Sequence, residues 1–194
     1  MRIEQVFAAY EYDQYRDDRP KFCADCGSAC EQRQTAGRER WVCPACGFVH
    51  WRNPLPAVSV WVVHEGKVLL GKRSQASVQP GYWCAPCGFI EHDEDFLTAA
   101  RRETQEETGL TVSLRSLINV AHNFLPGGLH TVVLVFLADI IGGTAVPGDD
   151  LVELKWFGPD DPLPELAFEA DRHIISSYFA GELQEMPLDQ RYSG

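Results

Sequence analysis

Two Cys-x-x-Cys pairs, Cys23-Ala-Asp-Cys26 and Cys43-Pro-Ala-Cys46, stand sixteen residues apart and constrain this chain more than any other feature. A glycine follows each pair (Gly27, Gly47), so each pair is expected in a small turn whose backbone amides point at the sulfurs. Four thiolates in tetrahedral array suit Zn²⁺ and leave no open coordination position. The chain has seven cysteines, an odd number, and no secretory leader at its acidic N-terminus. That combination reads as a metal site in a cytoplasmic protein, not a disulfide framework. Residues 20–53 are therefore expected to fold as a small zinc ribbon held by Cys23, Cys26, Cys43 and Cys46, with Arg38–Val42 as a hairpin strand.

The remaining chain is long enough for one further domain with its own core. Its boundaries are expected at 54–185, with an arm over 1–19 and a tail over 186–194. In the arm, Val6, Phe7, Tyr10 and Tyr12 suggest a short helical stripe. No apolar run approaches the roughly 20 residues of a membrane span. Formal net charge is 17 − 28 = −11, so the surface as a whole repels nucleic-acid backbones, and nucleic acid is not an expected partner. Five basic and three acidic residues leave the ribbon near +2, a modest basis for a nucleic-acid-binding knuckle beside its simpler role as a structural clip.

Hydrophobic periodicity predicts strands over 56–63, 68–73, 82–87, 111–124, 130–141 and 151–157, and helices over 95–108 and 164–180. Hairpins mixed with two helices imply an α/β sandwich with a mixed sheet. In the first helix Glu103, Glu106 and Glu107 stand at i, i+3 and i+4, within about a 100° arc. Gly109 follows where a left-handed C-cap is expected. Such a face is either a solvated acidic surface or a seat for a hard cation such as Mg²⁺ or Mn²⁺, and helical spacing leaves both open.

The wider pattern is Gly88, five residues, Glu94, seven residues, then Arg102-Glu103-Thr104-Gln105-Glu106-Glu107-Thr108-Gly109-Leu110. It resembles the Nudix box at every fixed position, with Thr104 a mild departure at a hydrophobic slot. Tyr82–Gly88 also resembles the approach to that box, with Cys87 standing where the family commonly has Gly. The resemblance implies an α/β/α sandwich in which Glu103, Glu106 and Glu107 bind Mg²⁺ or Mn²⁺ and Gly88 contributes its carbonyl. It implies that Glu94 and Arg102 brace the loop against the helix, and that water attacks a phosphorus of a nucleoside diphosphate linked to another group. A general base from a later loop is one possibility within the family, and Glu153 is the positional candidate.

Ribbon followed by Nudix domain resembles the branch acting on ADP-ribose or FAD and the related NADH pyrophosphatases. The SQPWPFPxS segment of the latter has no match in Asn119–Pro126, and 19 residues are too few for their extra N-terminal domain, so ADP-ribose or FAD is the favoured substrate. A non-catalytic regulator that senses ADP-ribose or NAD is the other class, against which the retained carboxylates speak. Trp51, Trp61, Phe124 and Phe168 are candidates for stacking on a base, each more simply read as core packing. His122 and His173 read as structural or surface histidines, not catalytic ones, and Cys84 and Cys87, a third Cys-x-x-Cys, as packed thiols. Family resemblance also suggests a homodimer.

Overall fold

The computed structural model describes residues 9–10, 21–125, 128–189 and 191. β1 (Ala9–Tyr10) opens it as an extended pair, so Tyr10 lies in a strand and not in a helical stripe; Val6, Phe7 and Tyr12 lie outside the described residues. β2 (Glu31–Thr35), β3 (Arg38–Val42) and β4 (Val49–His50) form a separate three-stranded antiparallel sheet. The turn Ala36-Gly37 joins β2 to β3 with both residues at positive φ.

The larger unit runs β5 (Leu55–His64), β6 (Lys67–Arg73), β7 (Trp83–Cys84), β8 (Cys87–Phe89), α1 (Phe96–Thr108), β9 (Leu110–Leu125), β10 (Leu129–Gly143), β11 (Leu151–Phe157), α2 (Glu169–Phe179) and β12 (Met186–Pro187). Its main sheet has the order β1-β9-β10-β5-β6-β11, with β12 added to β9, β7 to β6 and β8 to β5. β10 and β5 run parallel while β9/β10 and β6/β11 are antiparallel, which makes the sheet mixed. The expected fold class, an α/β/α sandwich preceded by a ribbon, is the one found.

β5 is apolar on both faces because both are covered. Ala57, Trp61 and Val63 pack with Ile174 and Ile175 of α2; Val58, Val60 and Val62 pack with Ala99 and Ala100 of α1. Alternating side chains thus feed two cores, one under each helix. α1 begins where Asp95 accepts hydrogen bonds from the amides of Leu97 and Thr98, and ends at Gly109, whose φ of 69° closes a left-handed cap.

Two further sequence expectations needed correction. The single strand over 82–87 is split: Pro86 has no N–H, and the chain there passes from pairing with β6 to pairing with β5. The second helix starts at Glu169, not 164; residues before it are extended, with Trp83 N–H donating to the Glu165 carbonyl and Ala167 N–H to that of Trp83. No described helix is long and apolar enough to cross a membrane.

Candidate active site and metal centre

Cys23, Cys26, Cys43 and Cys46 converge as two knuckles facing each other. Their sulfurs lie within 4.8 Å of one another, with Cys23 Sγ to Cys46 Sγ at 3.7 Å and Cys26 Sγ to Cys43 Sγ at 3.5 Å. Tetrahedral zinc with Zn–S bonds of about 2.3 Å puts sulfurs roughly 3.8 Å apart, so the four donors fit that ion. Each knuckle repeats the same hydrogen bonds: Cys23 N–H to Ser28 O and Gly27 N–H to Cys23 O, then Cys43 N–H to Phe48 O and Gly47 N–H to Cys43 O.

In the larger unit a cavity of about 250 Å³ lies on the α2 side of the sheet. Ala57 and Ser59 of β5 and Val133 and Val135 of β10 floor it, and Glu103 and Glu107 of α1 enter it beside Gly88. Both carboxylates are buried, at 8% and 1% exposure. Burial pushes the Glu107 carboxyl up to about 10; Cys87 adds to the rise and the hydrogen bond from its backbone amide, at 2.8 Å, opposes it. Burial likewise raises Glu103, against the pull of Arg102. Two carboxylates buried this deeply side by side are donors suited to a divalent cation.

Gly88 is required for space. A β-carbon there would overlap the Glu103 carboxylate. Cys87 beside it is not among the residues at positive φ, so its side chain costs no backbone strain.

Arg102 ties the box loop to the helix. Its Nε donates to Glu94 Oε2 at 3.0 Å and its Nη2 to Glu94 Oε1 at 2.5 Å and to the Phe89 carbonyl at 3.1 Å. Its Nη1 reaches Glu103 Oε1 at 2.8 Å and Glu106 Oε2 at 3.0 Å. Glu106 is exposed and does not line the cavity. Of the expected group, then, Gly88, Glu103 and Glu107 meet at the cavity, while Glu94, Arg102 and Glu106 form the brace at its edge.

Glu153 does not line the cavity; it is exposed and 4.0 Å from Lys72. Asp149 and Asp150, in the loop before β11, line it instead. Sequence reasoning also passed over Arg73 and Asp171. Arg73 is 5% exposed and spans the wall: Nη1 lies 3.4 Å from Cys84 Sγ and 3.7 Å from Cys87 Sγ, and Nη2 lies 3.5 Å from Asp150 Oδ2. Cys84 and Cys87 are thus packed against a buried cation. Asp171, on α2, is 5% exposed with Oδ2 unpartnered. The adjacent acidic pair after Gly148 was the one local signal that pointed to any of these.

Among the aromatic candidates Phe168 lines the cavity, with the Arg73 guanidinium 5.7 Å from its ring centre. Trp61 is core, Trp51 is exposed under Arg40 of the ribbon, and Phe124 stacks on His130, which meets His122 at 2.9 Å. His173 sits half-buried on α2.

A mixed sheet between two helices, with a loop-helix-loop carrying buried carboxylates to a cavity, defines an α/β/α sandwich with a site suited to a divalent cation. The chain belongs to the Nudix family: the family model described as NUDIX domain matches residues 53–178, and that described as Nudix N-terminal, a zinc ribbon, matches residues 21–52. It is 31% identical over 166 residues to the NAD-capped RNA hydrolase NudC of Stutzerimonas stutzeri, covering 84% of this chain and 57% of that protein. It is 37% identical over 128 residues to an ADP-ribose pyrophosphatase of Methanocaldococcus jannaschii, covering 65% of this chain and 73% of that protein. A crystal structure of a NUDIX hydrolase from Nitrosomonas europaea superposes with a TM-score of 0.72 at 32% identity, over 83% of this chain and 91% of that one. The chain spans little more than half the length of the NudC relatives. Hydrolysis of a pyrophosphate bond is the activity of this family. The expectation that nucleic acid is an unlikely partner finds no support, since the NudC relatives are named for a capped RNA.

Proposed function

We propose that the protein is a divalent-metal-dependent pyrophosphohydrolase that cleaves ADP-ribose, or a similar nucleoside diphosphate linked to a second group such as FAD, into AMP and a phosphorylated product. The observation that carries this reading is the meeting of buried Glu103 and Glu107 with Gly88 at the mouth of one cavity. Glu103, Glu107 and the Gly88 carbonyl, with Glu106 beside them, would hold Mg²⁺ or Mn²⁺. When bound, such ions polarise phosphoryl oxygens and lower the pKa of a coordinated water. The chain's own residues do the rest. Arg102 fixes Glu103 and Glu106 in place through its bonds to Glu94 and the Phe89 carbonyl. The Cys87 amide orients Glu107. Asp149 and Asp150, which line the cavity with Glu91 and Asp171, are carboxylates that could take a proton from an attacking water, a task the exposed Glu153, off the cavity, is not placed for. Zinc in the Cys23–Cys46 cluster would serve the ribbon's fold. Cytoplasmic location and a homodimer complete the reading, on the strength of the cysteine chemistry and the family resemblance.

A second reading is cleavage of NADH or of an NAD cap on RNA. It is favoured by the NudC relatives, whose similarity runs over 84% of this chain and so reaches into the ribbon. Purified protein with Mg²⁺ or Mn²⁺ is to be given ADP-ribose, FAD, NADH, NAD⁺, NAD-capped RNA and nucleoside triphosphates, with AMP or decapped RNA measured. Fastest turnover of ADP-ribose or FAD supports the first reading, preference for NADH or capped RNA the second, and no turnover of any sinks both.

A further inference from the structure

Arg73, the last residue of β6, is 5% exposed and carries the one positive charge among the described residues that line the cavity. Its guanidinium presents five N–H donors in a fixed planar fork. That fork is shared among three segments of the wall. Nε donates to the Val78 carbonyl in the loop after β6. Nη1 reaches Cys84 Sγ of β7 at 3.4 Å and Cys87 Sγ of β8 at 3.7 Å. Nη2 reaches Asp150 Oδ2, in the loop before β11, at 3.5 Å. The backbone ties down the same loop: Ser74 N–H donates to the Asp150 carbonyl at 2.7 Å, and Arg73 pairs with Leu151.

Stability does not account for this burial. Taking a cation out of water is costly, and the cost is offset only where the partners are close and strong. Thiols are weak acceptors, and the carboxylate partner is half-exposed and 3.5 Å away. What these bonds do is fix distances. Cys87 donates its own backbone N–H to Glu107 at 2.8 Å, so Nη1 holds the strand that orients one cavity carboxylate. Nη2 holds Asp150, another carboxylate of the lining. Arg102 does the corresponding work outside the cavity, on Glu94, Glu103 and Glu106.

We propose that Arg73 is a positioning residue for hydrolysis: its fork sets Asp150 and, through Cys87, Glu107 at the spacing that a cation and an attacking water require. This rests on the metal-dependent hydrolase reading for what comes between them. The shape of the group is the essential property, more than its charge. Lysine restores the charge but has a single nitrogen, which cannot serve the Val78 carbonyl, both sulfurs and Asp150 together.

Arg73→Lys and Arg73→Gln in the full chain test it. Calorimetric Mn²⁺ affinity, Tm, and kcat and KM for the nucleotide turned over fastest are to be measured for each and for wild type. Both variants are expected to lower kcat by about 30-fold or more, the scale of an ångström's misplacement, with KM within about threefold of wild type. Both are expected to bind Mn²⁺ about tenfold or more weakly. In Arg73→Gln the sign separates two roles. Loss of a cation beside carboxylates tightens Mn²⁺ if only its field matters, and loosens it if Arg73 holds the donors in place. Combined with Asp150→Asn, Arg73→Lys is expected to cost about fivefold less than the product of the two single losses, because the pair acts as a unit. Wild-type kcat in Arg73→Lys, tighter Mn²⁺ binding by Arg73→Gln, or losses that simply multiply overturns the proposal. So does failure of both variants to fold, or a Tm fall beyond about 5 °C in both with kcat per folded molecule intact, since the cation would then serve the fold. If wild type binds Mn²⁺ but turns over no nucleotide, while both variants bind the ion more weakly, the hydrolase reading fails and the positioning of the metal donors stands.

Discussion

The backbone N–H of Cys87 donates to the Glu107 carboxylate over 2.8 Å, joining positions 20 apart in the chain. This bond fastens the strand before the box loop to the last turn of α1. It orients a side chain that is 1% exposed at the edge of the cavity. Position 87 therefore acts through its backbone, which is why a cysteine can stand where glycine is usual.

Glu107→Gln follows from that geometry. The amide keeps an oxygen to accept from Cys87 but cannot carry the charge that a cation needs. Turnover should fall by about 10²-fold or more, on the scale of losing one strong electrostatic contact to the transition state. Tm should stay level or rise, because a neutral amide avoids the desolvation that pushes this carboxyl up to about 10. Steady-state kinetics and thermal melts on the same preparation check both halves; full activity would remove Glu107 from the metal site.

Gly88→Ala tests room instead of charge. The new β-carbon would overlap the Glu103 carboxylate, which Arg102 already holds at 2.8 Å. The Glu103 side chain must leave its bond to Arg102, or β8 or α1 must shift, at about 1–3 kcal/mol for overpacking, with a matching loss of activity. Urea unfolding should show the lower midpoint, and Mn²⁺ affinity should weaken. A variant as stable and as active as wild type would mean that the Glu103 carboxylate moves aside freely and that its position is not needed for turnover.

Much of this site was legible from local spacing, and the remainder was not, for physical reasons. The box residues lie within one loop and one helix, so periodicity and a glycine offset suffice to group them. The Cys-x-x-Cys turns are equally local. Arg73 meets Asp150 from 77 positions away, and it does so because β6 and β11 pair at Arg73 and Leu151. Asn123 and Thr131 become neighbours through the register of a long hairpin, and Asp171 reaches the cavity because α2 lies across the sheet. Two of the misread elements share a cause: at 82–87 and 164–168, pairing with other strands overrode the intrinsic pattern.

Cys43→Ser separates the two units. Cys43 is fully buried within the sulfur cluster, and three cysteines with a hydroxyl bind zinc far more weakly. Zinc measured by mass spectrometry should drop from about one per chain to near zero, and the ribbon should unfold. The ribbon sheet shares no strand with the nine-stranded sheet. The melting transition of the larger unit should therefore move by less than about 3 °C. A collapse of that transition would show that the ribbon is part of its core.

Asp171→Asn gives a test in pH. The carboxyl is buried on α2, and burial pushes it up to about 7 against the opposing pulls of the Ala85 backbone and Arg73. In the unfolded chain its value is about 4. Below about pH 4 both states carry the proton and the residue is neutral in its effect. Between about 4 and 7 the unfolded chain ionises while the folded protein keeps its proton, so the native state loses relative stability as pH rises. Above about 7 both states are ionised and the full desolvation penalty remains. Asparagine carries no such penalty. The variant should match wild type near pH 4 and exceed it by about 1–3 kcal/mol at pH 8, with most of the gap opening between those values. Denaturant midpoints at pH 4, 6 and 8 decide it: an offset that does not change with pH would mean that Asp171 is not the group whose ionisation the cavity opposes.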